Sequence, residues 1–375
     1  MKVIDGDGHV VEPRNAFVDY IDPPFRERAP QVITDESGRD VVRIDGQILF
    51  GRKGPTSLGA SFVIGGYADP ARRKSHPYDQ AQPGGGNPHA RVKDLDTEGI
   101  DTAVLYPSLG LFLGGIADVP LAAASCRAYN DWLADFCKPY PDRLIGIGAV
   151  PLQDVEEAIK EMRRAVVRLG MPGVFVRPNP YNGRRLDNPA YDPFWAAAQE
   201  LDCSVSIHEG TILTMPTVGS ERYRGDSCRL HLISHSLEMQ LACMDIVLGG
   251  VLEKFPRLKV AFLESGGGWI CHWLDRLDSH YEKLNFLVPW LKMKPSEYFK
   301  RQCFIAFDPD ENTLKATVDV LGAGNLMWAS DYPHFDCTFP GAVEELKQHM
   351  EGLSEEARRK VLGENAARLY KLTVS

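Results

Sequence analysis

Apolar runs of about five residues alternate along this chain with longer stretches whose apolar positions recur every three to four residues; the first pattern predicts strands, the second helices. A first strand is expected at residues 3–7. After a long interruption, residues 91–98 read as a short helix leading into an apolar run at 102–106, and 119–138 as a long helix stopped by Pro139. Then come a strand at 144–150 and a helix in which Val155, Ala158, Ile159, Met162, Ala165, Val166 and Leu169 keep a period near 3.6. Asp154 with Glu157 supplies a start resembling a capping box, and Gly170 a left-handed stop. Further strands are expected at 173–177, 204–208, 259–264, 303–307 and 326–330, separated by helices at 193–200, 237–248, 269–284 and 311–321. The chain ends helically. Eight strands alternating with helices predict an α/β chain closed into a parallel (β/α)8 TIM barrel, one domain over residues 1–375.

Residues 11–90 are too long for a plain strand-to-helix loop and read as an insertion after strand one. Within it, short β runs at 31–34, 40–44 and 47–50 are separated by Ser37-Gly38 and Asp45-Gly46, the chemistry of hairpin turns, and predict a small antiparallel flap. Residues 51–88, rich in Gly, Pro and basic side chains, are expected to be irregular and mobile. Loops that follow barrel strands lie at the catalytic face, so the insertion should cover a pocket.

With 42 Lys plus Arg against 51 Asp plus Glu, the net charge of −9 argues against nucleic acid or an anionic membrane as partner and leaves a small-molecule substrate. No apolar stretch approaches the roughly 18 residues of a membrane helix. The amino terminus runs into a strand without an apolar signal region, so a cytoplasmic protein is expected. Eight dispersed cysteines without a CxxC pair fit reduced thiols.

Polar residues of ligand type fall where barrel strands end. Asp7 and His9 close strand one, His208 strand five, Glu264 strand six and Asp331 strand eight. These ends converge on one mouth, and imidazole with carboxylate makes a site for a divalent ion such as zinc, manganese or iron. Arg177, ending strand four, could hold a substrate carboxylate; a structural salt bridge is the alternative. His235 is expected in the loop before the helix at 237, with His231 nearby, and His334 and Asp336 follow Asp331 closely.

Asp7-Gly8-His9, Ile207-His208, the run from Gly249 to Val260, the glycines at 266–268 and Ser330-Asp331-Tyr332-Pro333-His334 resemble the amidohydrolase superfamily, in the branch that includes aminocarboxymuconate semialdehyde decarboxylase and γ-resorcylate decarboxylase. The resemblance implies a barrel with one divalent metal held by Asp7, His9, His208 and Asp331, a homodimer, and decarboxylation of an aromatic or unsaturated acid with Asp331 in proton transfer. One place departs from the pattern. The strand-six His is missing, and Glu264-Ser265 stands there. Glu264 is then a general base, a ligand to a second metal, or a partner for a cation, with His235 a candidate for the missing imidazole. Two readings stay open beside decarboxylation: hydrolysis of an amide, ester, lactone or thioester by metal-activated water, and a silent binding protein.

Overall fold

The structure is a computed structural model that describes residues 2–50, 56–66, 68–210 and 214–373. Its strands are β1 (Ile4–His9), β2 (Gln31–Thr34), β3 (Asp40–Ile44), β4 (Gln47–Phe50), β5 (Thr102–Tyr106), β6 (Leu144–Gly146), β7 (Gly148–Ala149), β8 (Gly173–Val176), β9 (Ser204–His208), β10 (Lys259–Leu263), β11 (Cys303–Phe307) and β12 (Leu326–Trp328). Parallel pairing links β1 to β5 to β6, and β7 through β8, β9, β10 and β11 to β12. β6 and β7 are the two halves of the strand expected at 144–150. They part at Ile147, and pairing passes there from β5 on one side to β8 on the other. This order runs once around a (β/α)8 barrel, with no strand ladder between β12 and β1 among the described residues.

Most barrel strands are apolar because helices cover the outside and the barrel interior the inside, while β1 (Ile-Asp-Gly-Asp-Gly-His) and β9 (Ser-Val-Ser-Ile-His) carry buried polar residues. β5, β9 and β11 are buried at every position. The expected caps are in place: Asp154 accepts from the Glu157 N–H at 3.0 Å at the start of the helix Val155–Val167, and Gly170 is left-handed.

The flap has the expected strands, with β3 between β2 and β4. Asp45 and Gly46, at φ 52° and 73°, make the tight turn whose two positive φ values match hairpin twist. Val32, Val42 and Ile44 join the main hydrophobic core, so the flap is packed down. Part of the segment expected to be irregular is instead organised into helical turns at Gly59–Phe62, Pro70–Ser75 and Pro83–Gly86, the second capped by Asp69. Pro at the first turn of two of these presets the helical φ. Residues 51–55 and 67 of that expectation lie outside the described residues. The insertion reaches the barrel mouth: the Tyr78 hydroxyl donates to Glu12 O at 2.6 Å, and the Phe62 ring centre lies 5.8 Å from that of His334.

One boundary matters for chemistry. The helix expected to begin at 237 spans Ser227–Leu248, capped by Asp226, and His235 sits within it rather than in a loop. The buried face of its first half carries Ser234, His235 and Glu238, so a hydrophobic periodicity misses a turn whose inward side chains are polar. All eight cysteines are free, and no described helix is long and apolar enough to cross a membrane.

Candidate metal centre at the barrel mouth

β1 delivers the first two polar groups. A bulge between Asp5 and Gly8 shifts its register against β5, the kind of irregularity that re-aims side chains. The His9 ring points Nδ1 at Pro107 O, 2.8 Å away. A carbonyl can only accept, so Nδ1 carries the proton and Nε2 is left to face the mouth. His208, the last residue of β9, does the same with Glu209 O at 2.6 Å. The two Nε2 atoms meet 3.2 Å apart. Asp7 Oδ2 lies 3.3 Å from His208 Nε2, and Asp331 Oδ1 3.3 Å from His9 Nε2. Ligand-type atoms of Asp7, His9 and His208 all lie within 4.8 Å of one another, as do those of His9, Asp331 and His334.

Lone pairs aimed at one another in a buried place repel unless a proton or a cation lies between them. Asp7 Oδ1 is buried and makes no hydrogen bond. Two imidazoles of fixed tautomer and two carboxylates suit a divalent ion, so the residues present fit the metal that the sequence implies. Asp331 joins this set through His9, and its closest partner is His334 Nδ1 at 2.7 Å.

Charges in the metal-free protein are arranged accordingly. Burial pushes the Asp7 carboxyl up to about 6, against the opposing pull of His208. Asp331 is raised well above the carboxylate range, again by burial, with His334 opposing. Burial, with His334 and His208 beside it, keeps His9 neutral. A bound dication would reverse the first two shifts, since it favours the ionised carboxylates.

Glu264 follows β10 and contacts two histidines, His208 Nδ1 at 3.4 Å and His235 Nε2 at 3.3 Å. Burial disfavours its charge, yet His235 and His208 outweigh burial and hold it well below the usual range. Burial likewise opposes the His235 charge, but Glu264 overrides it and raises His235 to about 9. The two form an ion pair at neutral pH. Ser236 Oγ donates to Ser265 O at 3.3 Å, fastening the helix to the loop that carries Glu264. Both Glu264 and Asp331 adopt positive φ, 47° and 53°, a strained conformation that in non-glycine residues clusters at functional sites.

Arg177, expected as a substrate anchor, is committed elsewhere. Its guanidinium donates to Glu209 Oε1 at 2.9 Å, Gly210 O at 2.5 Å and Leu111 O at 3.0 Å, wholly buried, which is the structural ion pair that the sequence left as the alternative. Sequence reasoning passed over Glu209, although it directly follows His208, and Ser108, which accepts from His334 Nε2 at 2.9 Å while donating to Val10 O at 2.7 Å. Ser108 carries no signal beyond its place after β5. His231 and Asp336 lie at the rim, 3.9 Å apart.

A parallel barrel with histidines and carboxylates converging at the carboxyl ends of its strands defines a metal-dependent class of barrel protein. The chain belongs to the amidohydrolase family, whose description matches residues 4–372. It is 29% identical over 284 residues, 75% of each chain, to 2-amino-3-carboxymuconate-6-semialdehyde decarboxylase of Dictyostelium discoideum. An amidohydrolase from Mycobacterium avium subsp. paratuberculosis K-10 superposes with a TM-score of 0.81 at 23% identity, covering 98% of this chain and 99% of that one. A dihydroxybenzoic acid decarboxylase from Polaromonas sp. JS666, solved with manganese and the inhibitor 2-nitroresorcinol, gives 0.67 at 20% identity over 100% and 98% of the two chains. In this chain Asp7, His9 and His208 stand close enough together to hold a metal ion.

Proposed function

We propose that this chain releases carbon dioxide non-oxidatively from an aromatic or unsaturated carboxylic acid at the mouth of its barrel. The observation that carries the reading is the placing of the His235–Glu264 pair beside the buried cluster of Asp7, His9 and His208, with Asp331 3.3 Å from His9. Asp7, His9, His208 and Asp331 would hold the ion, which when bound supplies positive charge to clamp the substrate carboxylate and a neighbouring oxygen. Decarboxylation leaves the electrons of the broken bond on carbon, so one proton must arrive there. His235, kept protonated by Glu264, is the donor in this reading, and Asp331 the second candidate. The relatives named as decarboxylases support this choice of reaction.

Metal-loaded enzyme given a panel of hydroxybenzoates should release carbon dioxide, with no label from heavy-oxygen water in the remaining product. The second reading, hydrolysis of an amide, ester, lactone or thioester, has support in Glu264 Oε2, a buried oxygen without a hydrogen bond that could serve a second metal or act as base. Labelled oxygen in the product, without carbon dioxide, would select it. We further propose one barrel domain over 1–375 with the 11–90 insertion, acting as a homodimer; light scattering tests the dimer.

Glu264→Gln should bring down the alkaline limit of activity. Without the carboxylate, the largest influence opposing burial is gone, and the His235 proton is lost below about 9. The alkaline limb of the kcat profile should follow. A limb that stays in place would remove His235 from proton donation.

A further inference from the structure

The barrel closes without a ladder where its first and last strands meet, since β12 pairs with β11 and β1 with β5. Two backbone bonds cross beyond the strand end: Asp331 N–H donates to Asp7 O at 3.0 Å, and His9 N–H to Tyr332 O at 2.7 Å. Further polar ties come from two fully buried ionisable side chains. Asp5 Oδ1 accepts from Ser330 N–H at 2.9 Å and Asp7 N–H at 3.3 Å, while Oδ2 accepts from the Ser330 hydroxyl at 2.6 Å. Arg91, reaching in from the helix Pro88–Glu98, donates through Nη1 to His9 O at 2.8 Å and Tyr332 O at 3.4 Å. Its guanidinium lies 4.4 Å from the centre of the Tyr332 ring.

Each of these contacts falls on a candidate ligand or on the residue beside one. Asp7 and His9 are the strand-one ligands, and Ser330 and Tyr332 flank Asp331. Gly8 belongs to the same device: a Cβ there would stand 2.5 Å from Arg91 Nη2 and 2.7 Å from Asp5 Oδ2. The turn between the two strand-one ligands therefore has room for no side chain while both charges are in place. A seam that only had to be closed could be packed with apolar side chains, because buried charges are expensive and well-packed hydrophobes often replace them without loss. Buried polar networks with defined partners instead fix one geometry.

We propose that Arg91 and Asp5 form a positioning latch that sets the spacing between Asp7 and His9 on β1 and Asp331 after β12, and through it the affinity of the site for its metal. The inference rests on the metal reading above. A guanidinium suits this place better than an ammonium, since its planar face lies against the Tyr332 ring while Nη1 alone donates to both carbonyls.

The test compares wild type, Arg91→Lys, Arg91→Met and Ser330→Ala. Manganese affinity is measured by competition with a chelator, the visible spectrum is recorded after loading with cobalt, and the unfolding midpoint is taken without metal. Arg91→Lys and Ser330→Ala should weaken manganese binding at least tenfold and alter the cobalt spectrum. Ser330→Ala keeps both charges and removes one hydroxyl, so it carries the test should the arginine variants fail to fold. Variants that lower the metal-free midpoint while keeping wild-type affinity and spectrum would overturn the latch and reduce Arg91 and Asp5 to structural residues. A wild-type protein that binds neither manganese nor cobalt would overturn the metal reading, and the latch with it.

Discussion

Replacing Asp331 with Asn is expected to lower kcat on the order of 10³-fold while leaving the fold intact. Asparagine is the informative choice because Asp331 has φ 53°, and Asn tolerates that left-handed conformation better than Ala does. The backbone bond from Asp331 N–H to Asp7 O does not depend on the side chain and should persist. What is lost is a charge. The carboxylate lies 3.3 Å from His9 Nε2 and 2.7 Å from His334 Nδ1, so an amide in its place removes an anionic ligand and the partner of His334 together. Positioned proton transfer alone is worth about 10² to 10⁴ in rate. Steady-state kinetics with circular dichroism checks the prediction, and a variant within tenfold of wild type would remove Asp331 from the chemistry.

Stripping the metal is expected to abolish turnover and to lower the unfolding midpoint, both restored by manganese. An ion held at a thousand times its Kd stabilises the folded state by about 4 kcal/mol. With unfolding entropy of roughly 2 cal/mol/K per residue, a chain of 375 residues should shift on the order of 5 °C. The size of the shift depends on pH with a definite sign. In the metal-free protein burial raises Asp7 to about 6. Its protonated form thus favours the fold at low pH, and that contribution fades as pH rises from the ordinary 3.8 through about 6. The ion takes the carboxylate and releases the proton, so affinity rises over the same interval. The gap between loaded and stripped protein should be wider at pH 7.5 than at pH 5.5 in a thermal scan. A gap that narrows would mean that Asp7 is not a ligand.

The barrel was legible because most of its strands are short, largely apolar runs, several of them followed by a polar residue. His208 and Glu264 stand at or just past the last residue of β9 and β10. The flap was legible from its two turn pairs. His235 was expected in a loop rather than in the helix, because the buried residues around it, Ser234 and Glu238, are polar and a hydrophobic pattern cannot register them. Arg177, at a strand end, could be read either as a substrate anchor or as one half of a structural ion pair. Its partner Glu209 is one residue past His208, and only the fold brings the two within 2.9 Å. Arg91 was read simply as a helix residue, since its contacts with His9 and Tyr332 span 82 and 241 positions of sequence. Local pattern thus gives the strand ends where the candidate ligands stand, while the groups around them are set by tertiary contacts.

The most direct measurement is metal content per chain, by elemental mass spectrometry on protein purified without added metal or chelator, in wild type and in His208→Ala. About one equivalent of a divalent ion in wild type, and a small fraction of that in the variant, is the expected result. About two equivalents would make Glu264 a ligand and put hydrolysis first, and none even after reconstitution with manganese would contradict the account.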